Sequence, residues 1–537
     1  MKKLIVIVLI IFNSCLSQEK VDLIVYNANI YAVDENFSKV EAFVIKDGKF
    51  LEVGTSDAIK DKYQSEETID AKGQTIVPGF IDAHCHFYGL GMNQQQSDLV
   101  GTKSFDEVLD RLKKFQENKQ TTFLIGRGWD QNDWEIKEFP TKEKLDELYP
   151  DIPVVLQRID GHVYLVNQTA LDLAKITAET KIEGGEIVTE GGKLTGILID
   201  NPMALIDSII PKPSTQTKIQ ALKDAEKMCF EYGLTTVNDA GLDKVVIQLI
   251  DSLHQTGELQ IRVYAMISNK PENLDYYLPQ GKIKTDRLNV QSVKVYADGA
   301  LGSRGATLKR PYSDKHNHFG AMVTSPDDIQ AVTDRIANSE YQMNTHAIGD
   351  SANVVVLKAY ENALKDQKDR RWKIEHAQVI TDNDFDYFEN ENNIPSVQPT
   401  HATSDMYWAD ERLGDRIKGA YAYKDLLNKS GTIVLGTDFP VEHVSPFYTF
   451  YASVARKDLK QYPEGGFQME NALTREETLK GMTIWAAHSN FEENEKGSIE
   501  PRKFADFVIL DKNIMEVPEN EIPNIKAIQT YVGGVAQ

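Results

Sequence analysis

The stretch Ile76-Val77-Pro78-Gly79-Phe80-Ile81-Asp82-Ala83-His84-Cys85-His86 joins an apolar run to two histidines that are two positions apart. If residues 80–83 form a strand, His84 and His86 leave its end on one face, whereas Cys85 faces the other way. Neutral imidazole nitrogens are good ligands for zinc and similar cations, and a catalytic site keeps one position open for water. The stretch therefore predicts a metal site at the end of a buried strand.

A second histidine pair has the same spacing in a different setting. His316-Asn317-His318 lies in the charged segment Ser313-Asp314-Lys315-His316-Asn317-His318-Phe319, and no apolar strand precedes it. We interpret this pair as solvated surface, since a short motif carries a function only in the right structural context. The strand before His84, and not the spacing alone, is what indicates a ligand pair.

The middle of the chain alternates short apolar runs with longer helical patterns, which is typical of parallel βα units. Candidate strands include residues 154–156, 235–237, 293–296, 374–376 and 433–435. Polar or ionisable residues follow such runs, namely Asp160, Asp239, Asp298, His346, His376 and Asp438. Reacting groups converge at the carboxyl ends of the strands in a barrel, so we predict an α/β fold with a (β/α)8 TIM-like barrel over residues 78–489.

Both ends of the chain have a different texture, with short strands and turns in residues 21–77 and again in residues 490–537. We expect these two segments to form one small β-sandwich domain. Residues 126–190 are too long and too rich in Trp and Gly for a simple βα step, so they predict an insertion that covers the substrate.

The first residues predict an export signal over residues 1–20. Met1-Lys2-Lys3 is basic, and the apolar run from Leu4 to Phe12 is too short to span a bilayer. Ser14-Cys15 resembles the lipobox of bacterial lipoproteins, in which the Cys is lipidated; simple cleavage is the alternative. We expect a periplasmic or membrane-anchored protein of a bacterium, in which Cys85 and Cys229 could form at most one disulfide.

The chain of 537 residues has a formal net charge of −22, from 59 Lys and Arg against 81 Asp and Glu. Such a field repels phosphate backbones and anionic lipids. We therefore expect a small-molecule substrate, no nucleic acid, and no membrane contact except through a lipid on Cys15. A homo-oligomer remains open.

Several motifs taken together resemble the amidohydrolase superfamily, and within it the family-3 branch that includes N-substituted formamide deformylases. They are residues 78–86, Val293-Lys294-Val295-Tyr296-Ala297-Asp298 with the following residues to Arg304, Thr345-His346-Ala347-Ile348-Gly349-Asp350, Ile374-Glu375-His376-Ala377, Leu435-Gly436-Thr437-Asp438-Phe439-Pro440, and residues 495–501. One departure is Arg502, where the family usually has Gly in a turn.

The resemblance implies one or two divalent metal ions, with zinc expected. His84 and His86 would bind one ion, His346 and His376 a second, and Asp438 would be both a ligand and the catalytic base. Lys294 would bridge the ions as a carbamate, because an ammonium cannot bind a metal. An unpaired charge in an apolar strand would be costly, which supports the position of Lys294 but does not show the modification.

Other interpretations of these residues stay open. Lys294 could pair with Asp298 or another acid, which would leave a mononuclear site. His346 and His376 could be core histidines with satisfied hydrogen bonds, and Asp438 could cap a helix. In the family, pocket residues fall at Trp129, Asp130, His162, Arg304 and His401.

The implied activity is hydrolysis of a non-peptide carbon–nitrogen bond, of the amide or formamide type, by a water that the metal activates. Asp438 would take the proton of this water and pass it to the leaving nitrogen. The alternatives are a metallohydrolase on the same scaffold that acts on an ester or a dipeptide, and an exported binding protein without turnover.

Overall fold

The computed structural model describes residues 18–537, apart from the side chain of Asp382. Most of the predicted export signal, including Cys15, lies outside the described residues. Glu19–Lys20 forms a short strand that pairs in parallel with Tyr63–Gln64. No helix in the described part is both long and apolar enough to cross a membrane. Cys85 and Cys229 are both buried and free.

Within residues 18–537, eight parallel strands make up the central barrel, and neighbours in the sheet are also consecutive among the barrel strands. In order they are Phe80–Cys85, Leu234–Leu242, Arg262–Ser268, Leu288–Tyr296, Gln342–Ala347, Trp372–His376, Asn393–Val397 and Val434–Leu435. A short strand, Ile283–Lys284, pairs antiparallel with the fourth. The prediction of a TIM-like barrel is confirmed.

The first and last barrel strands meet at the predicted ligands. The backbone N–H of Asp438 donates to the carbonyl of His84 at 2.8 Å, and the N–H of His86 donates to the carbonyl of Phe439 at 2.7 Å. Gly436 lies at this seam, where a Cβ would be 2.5 Å from the nitrogen of His84. Only a residue without a side chain permits this approach of the two backbones.

Helices cover the outside of the barrel and bury apolar side chains against its strands. The longer ones are Thr215–Glu231, Lys244–Thr256, Pro326–Ala337, Asp350–Leu364, Tyr423–Ser430 and Pro446–Ala455. Shorter helices are Phe87–Asn93, Pro271–Tyr277, Pro399–Asp405, Ala409–Leu413, Arg475–Gly481 and Ile484–Ser489. This layer fixes the strand ends on which the site is built.

A second sheet is inserted between the first and second barrel strands. In the described chain it has six strands, in the order Ser97–Asp98, Leu124–Trp129, Val154–Arg158, Val163–Val166, Lys193–Asp200 and Gly185–Glu190. Helices Phe105–Lys119, Glu143–Leu148, Gln168–Leu173 and Met203–Asp207 accompany it. The sheet thus begins before residue 126 and ends after residue 190, the bounds predicted for an insertion.

The prediction that residues 154–156 form a barrel strand is wrong, because they belong to this inserted sheet. Val154 and Leu156 are buried in one apolar cluster, while Val155 is buried in another on the opposite face. A strand buried on both faces has the same apolar sequence pattern in either sheet.

The two chain ends form a β-sandwich, as predicted. Over the described residues, a four-stranded sheet of Lys49–Gly54, Ala42–Lys46, Leu23–Tyr26 and Glu67–Asp70 faces a six-stranded sheet of Val535–Ala536, Ala527–Val532, Phe507–Leu510, Thr75–Pro78, Asn29–Tyr31 and Lys39–Val40. Phe43, Phe50 and Phe507 pack between the two sheets. Helix Ser56–Lys62 packs on the first sheet.

Candidate metal centre

The predicted ligands come from the carboxyl ends of five barrel strands. His84 lies near the end of the first strand, Lys294 near the end of the fourth and His346 near the end of the fifth. His376 ends the sixth strand, and Asp438 follows the eighth. His86, Lys294, His346, His376 and Asp438 line a cavity of about 540 Å³, and His84 is fully buried beside it. The barrel thus brings together residues that are up to 354 positions apart in the sequence.

Three of these side chains converge most closely. Ligand atoms of His84, His376 and Asp438 all lie within 4.8 Å of one another. The Oδ1 atom of Asp438 is 3.6 Å from Nε2 of His84 and 3.3 Å from Nε2 of His86. Two imidazoles and a carboxylate at this separation form a donor set that a divalent cation prefers.

Hydrogen bonds fix which ring nitrogens face the cluster. Nδ1 of His84 lies 2.5 Å from Oε2 of Glu375, and Nδ1 of His376 lies 2.8 Å from Oε1 of Gln398. Because a carboxylate and an amide oxygen accept but do not donate, each Nδ1 carries the hydrogen. Nε2 of both rings therefore keeps its lone pair for a ligand.

Lys294 is 1% exposed, and its Nζ atom lies 3.2 Å from Nε2 of His84. Within residues 18–537 no carboxylate lies within ion-pair distance of it. Asp298 instead accepts from the backbone N–H groups of Thr307, Ile348 and Gly349. The alternative of a Lys294–Asp298 ion pair is therefore wrong, and burial lowers the pKa of Lys294 to about 8.

His86 and His346 lie on either side of the central cluster. The side chain of His86 is 30% exposed and reaches Asp438. The ring of His346 is 4.5 Å from that of His376, and its Nε2 is 3.7 Å from Oδ1 of Asp298 and has no hydrogen-bond partner. Both histidines therefore stay close enough to the cluster to extend it.

The environment favours the protonation states that bind a metal. Burial lowers the pKa of His84, and the pKa values of His346 and His376 lie well below that of free histidine for the same reason. Burial alone would raise the pKa of Asp438, but the contact with His86 and the ring of His84 hold it well below its usual value. These shifts favour the neutral form of His84, His346 and His376 and the ionised form of Asp438, which are the forms that bind a metal.

Two of these residues have unusual backbones. His376 has a φ of 75° and Asp438 a φ of 61°, both in the left-handed region that non-glycine residues rarely adopt. Such conformations cost of order 1–3 kcal/mol and concentrate at functional sites. At His376 the turn lets consecutive residues, Glu375 and His376, both take part in the cluster.

Sequence reasoning missed the residues that hold the ligands. Glu375 and Gln398 orient the two imidazoles, and the buried Asp82 accepts from the hydroxyl of Thr437 at 2.7 Å and from the N–H of His84 at 3.2 Å. Glu375 carried a usable signal, because a charge in the apolar run before His376 is as costly as the one at Lys294. Gln398 carried none.

The predicted pocket residues divide into two groups. Asp130, His162 and His401 line the cavity. Asp130 pairs with Arg158, Nδ1 of His162 lies 2.7 Å from Oδ1 of Asp200, and Nε2 of His401 is 3.7 Å from Oδ2 of Asp438. These three residues are within reach of a molecule bound in the cavity.

Trp129 and Arg304 do not line this cavity, so their predicted substrate contacts are corrected. Trp129 is 1% exposed, packs against Trp134 in the core of the inserted sheet, and donates to the carbonyl of Leu156. Arg304 pairs with Asp314 at 2.8 Å, away from the cavity. Trp129 is core and Arg304 is part of a loop ion pair.

The residues present fit a divalent metal ion. Oδ1 of Asp438 and Nε2 of His346 are buried without a hydrogen-bond partner, although buried polar atoms are normally paired. Nε2 of His376 and Nε2 of His84, which lies 3.2 Å from Nζ of Lys294, add two more lone pairs, so the described residues bring a concentrated set of metal-ligating atoms together. A cation is the simplest group that satisfies all of them at once.

Comparisons with known proteins agree with this geometry. A family model described as the amidohydrolase family matches residues 67–536. The chain is 31% identical to the putative amidohydrolase YtcJ of Bacillus subtilis, over 94% of this chain and 97% of that protein. It is 25% identical to the N-substituted formamide deformylase of Arthrobacter pascens, over 96% of this chain and 98% of that protein.

Among solved structures, an uncharacterised metal-dependent hydrolase from Pyrococcus horikoshii superimposes with a TM-score of 0.76 at 28% identity. The match covers 93% of this chain and 99% of that chain. The resemblance inferred from the motifs is therefore confirmed over almost the whole length of both proteins. The chain belongs to the amidohydrolase family, the family-3 branch of metal-dependent hydrolases.

Proposed function

We propose that the chain hydrolyses a non-peptide carbon–nitrogen bond, of the amide or formamide type, in a small organic molecule. The observation that carries the proposal is the convergence of His84, His376 and Asp438 within 4.8 Å at the edge of a cavity of about 540 Å³. The relative from Arthrobacter pascens, an N-substituted formamide deformylase, supports this type of bond.

We assign one or two divalent metal ions to the site, with zinc as the first candidate. His84, His86, His346, His376 and Asp438 would hold them. When bound, such an ion acts as a Lewis acid and lowers the pKa of water to about 7. The neutral state of the buried histidines and the ionised state of Asp438 support this donor set.

Asp438 is assigned as the base. Its Oδ1 atom is buried and has no hydrogen-bond partner, so it is free to accept a proton from the attacking water. The water oxygen bonds to the carbonyl carbon, the carbon–nitrogen bond breaks, and the proton passes from Asp438 to the leaving nitrogen. The products are a carboxylic acid, or formic acid from a formamide, and an amine.

Lys294 is assigned as a further ligand after reaction with carbon dioxide. Its amine is 1% exposed, 3.2 Å from His84, and has no ion-pair partner among the described residues. The carbamate would convert an uncompensated buried cation into an anion beside the histidines. Mass spectrometry of the native protein should find one added carbon dioxide, and Lys294→Met should lack it.

The test is metal content measured alongside amine release from N-substituted formamides, N-acyl compounds, cyclic imides, dipeptides and the matching esters. We expect bound divalent metal, amine release from at least one amide or formamide, and loss of this release in His86→Ala. Preference for the esters or the dipeptides would reject the assigned bond type. Equal behaviour of the wild type and His86→Ala would instead favour a binding protein without turnover.

A further inference from the structure

A second cavity adjoins the one at the metal centre. It has a volume of about 840 Å³ and is lined in part by Tyr407, Trp408 and Glu442; we call it the outer cavity. The two cavities share lining residues, namely Asn93, Gln96, Arg127, Asp130, Ile159, Pro440 and Val441. A molecule longer than a simple formamide can therefore extend from one into the other past these shared residues.

Arg127 is a buried cation at this junction. Its side chain comes from the second strand of the inserted sheet, and the residue is 8% exposed. In the described part of the chain no carboxylate lies within 4.0 Å of its guanidinium, whose nitrogens donate only to neutral oxygens. These are Oε1 of Gln157 at 3.1 Å, the carbonyl of Pro440 at 2.8 Å and the carbonyl of Ile159 at 2.9 Å.

These three contacts do not use all the hydrogen-bond donors of the guanidinium. It carries five N–H groups, so each of its two terminal nitrogens keeps one N–H without an assigned acceptor. The charge of Arg127 is also uncompensated locally, because Asp160 and Asp438 act on it only from a longer range. A buried charge of this kind is costly unless an opposite charge joins it.

Other buried arginines separate a ligand-binding role from a structural one. Arg158 lines the same cavity but is neutralised by Asp130 and by Asp160 at 2.5 Å. Arg416 and Arg456 are also buried and bind mainly backbone carbonyls, yet neither lines the two cavities. Arg127 alone of these four combines a missing counter-charge with access to the cavities, in the part of the protein described here.

We propose that the substrate carries a carboxylate, or a planar anion of the same kind, that binds Arg127. This rests on the proposed hydrolysis at the metal centre and adds the class of molecule that is hydrolysed. The scissile amide lies in the cavity at the metal centre, and the anion lies at the junction of the two cavities. The rest of the substituent extends toward Tyr407 and Trp408 in the outer cavity. The anion takes no part in the bond changes. It orients the amide through a bidentate, charge-assisted hydrogen bond with Arg127.

The test compares substrates that differ only in this charge. N-formyl derivatives of phenylalanine, β-alanine and γ-aminobutyric acid are assayed with the full metal-loaded protein, each beside its carboxamide. We expect at least one carboxylate to exceed its carboxamide in kcat/KM by about 10–100-fold, the value of a hydrogen bond to a charged group. Equal values for all three pairs would overturn the proposal.

The variant Arg127→Met should remove this preference mainly by raising KM for the carboxylate. Its effect on the carboxamide should be clearly smaller than its effect on the carboxylate, since removal of a charge contact acts most on the charged ligand. Arg127→Lys should restore part of the preference. Arg456→Met, a buried arginine away from both cavities, should change both members of a pair equally; the same result for Arg127→Met would show a purely structural role and overturn the proposal.

Calorimetry with benzoate and benzamide tests the same contact without turnover. Benzoate should bind the wild type at least about tenfold more tightly than benzamide does, and Arg127→Met should abolish the difference. Benzoate bound to a metal ion would keep its affinity in Arg127→Met, which would overturn the proposal. If no amide is hydrolysed at all, the proposed activity fails, and this binding experiment still decides the role of Arg127.

Discussion

The chain contains two histidine pairs of identical spacing, and the structure gives them opposite settings. His84 is fully buried at the end of the first barrel strand, and His86 follows it into the cavity. His316 is exposed in a loop, and Nε2 of His318 lies 2.8 Å from the carbonyl of Arg304, to which it donates. The spacing is the same; of the two, only the first pair has a carboxylate, that of Asp438, between its rings.

The difference shows that the surroundings of a ligand make the site. His84 has Glu375 behind it, Asp438 in front of it and the last barrel strand along its backbone. None of these surrounds the loop pair. Changes to His84 itself, to Glu375 behind it and to the strand seam at Gly436, taken from the largest expected effect to the smallest, test what distinguishes the two pairs.

The ligand itself should matter most. His84→Ala is expected to lose most of the bound metal and to lower kcat/KM by about a thousandfold or more, because the metal contributes several kcal/mol to the transition state. Inductively coupled plasma mass spectrometry gives the metal content. The matched change His318→Ala should leave the metal content unchanged. Equal metal loss in the two variants would abolish the distinction between the pairs.

The residue behind the ligand comes next. Glu375→Gln keeps the shape but removes the charge that orients the ring of His84 at 2.5 Å. We expect metal affinity to fall by about 10–100-fold, the usual effect of changing a partner of a ligand. Competition with a chelator measures this affinity. Glu516→Gln, which removes an exposed ion pair with Lys39, is the control; a similar fall there would contradict the argument.

The seam of the barrel should affect stability more than chemistry. In Gly436→Ala the new Cβ would lie 2.5 Å from the backbone nitrogen of His84, so the two strands must separate. Overpacking of this kind costs about 1–3 kcal/mol, which should lower the urea midpoint. Gly54→Ala is the matched control, since its Cβ meets no atom closer than 4.0 Å. An unchanged urea midpoint in Gly436→Ala would mean that the two strands can separate at no cost in stability, which would contradict the requirement for glycine.

Buried histidines outside the site should show that a lowered pKa is not by itself the mark of a ligand. Burial lowers the pKa of His254 from 6.5 to about 4, and its Nε2 donates to the carbonyl of Ile261. Below pH 6.5 the unfolded chain binds a proton that the folded protein does not, so the free energy of unfolding falls until about pH 4.

This fall from His254 is at most about 3 kcal/mol. Urea midpoints of the wild type and His254→Gln at pH 7.0 and about pH 5 measure it, with the wild type losing more than the variant on acidification. Metal content should be equal in both proteins. A parallel fall in the two would assign the acid sensitivity to other groups.

The sequence was sufficient for the parts of the fold that repeat a simple pattern. The barrel, the sandwich of the two chain ends and the family follow from apolar runs that end in polar residues and from the motifs around His84, Lys294, His346, His376 and Asp438. The roles of these residues as ligands and base stay predictions. The positions of the side chains support these roles, and the metal and activity measurements test them.

The remainder depended on contacts between distant segments. Residues 154–156 have the pattern of a barrel strand because both faces are buried, and only their pairing reveals another sheet. The sequence around Gln398 gives no sign of a function, and only the fold places its side chain beside Nδ1 of His376. The sequence did not show that Arg304 forms an ion pair with Asp314 or that Trp129 packs against Trp134, so both were predicted to contact the substrate.

The sandwich has a consequence for the order in which the protein matures. Thr75–Pro78 leads through Gly79 directly into Phe80–Cys85, the strand that carries His84, and it pairs with Phe507–Leu510. The N–H of Gly79 also donates to the carbonyl of Asp506 at 2.9 Å. Because Phe507–Leu510 follows His84 and every barrel strand in the sequence, this support of His84 can pair only after the whole barrel has been synthesised.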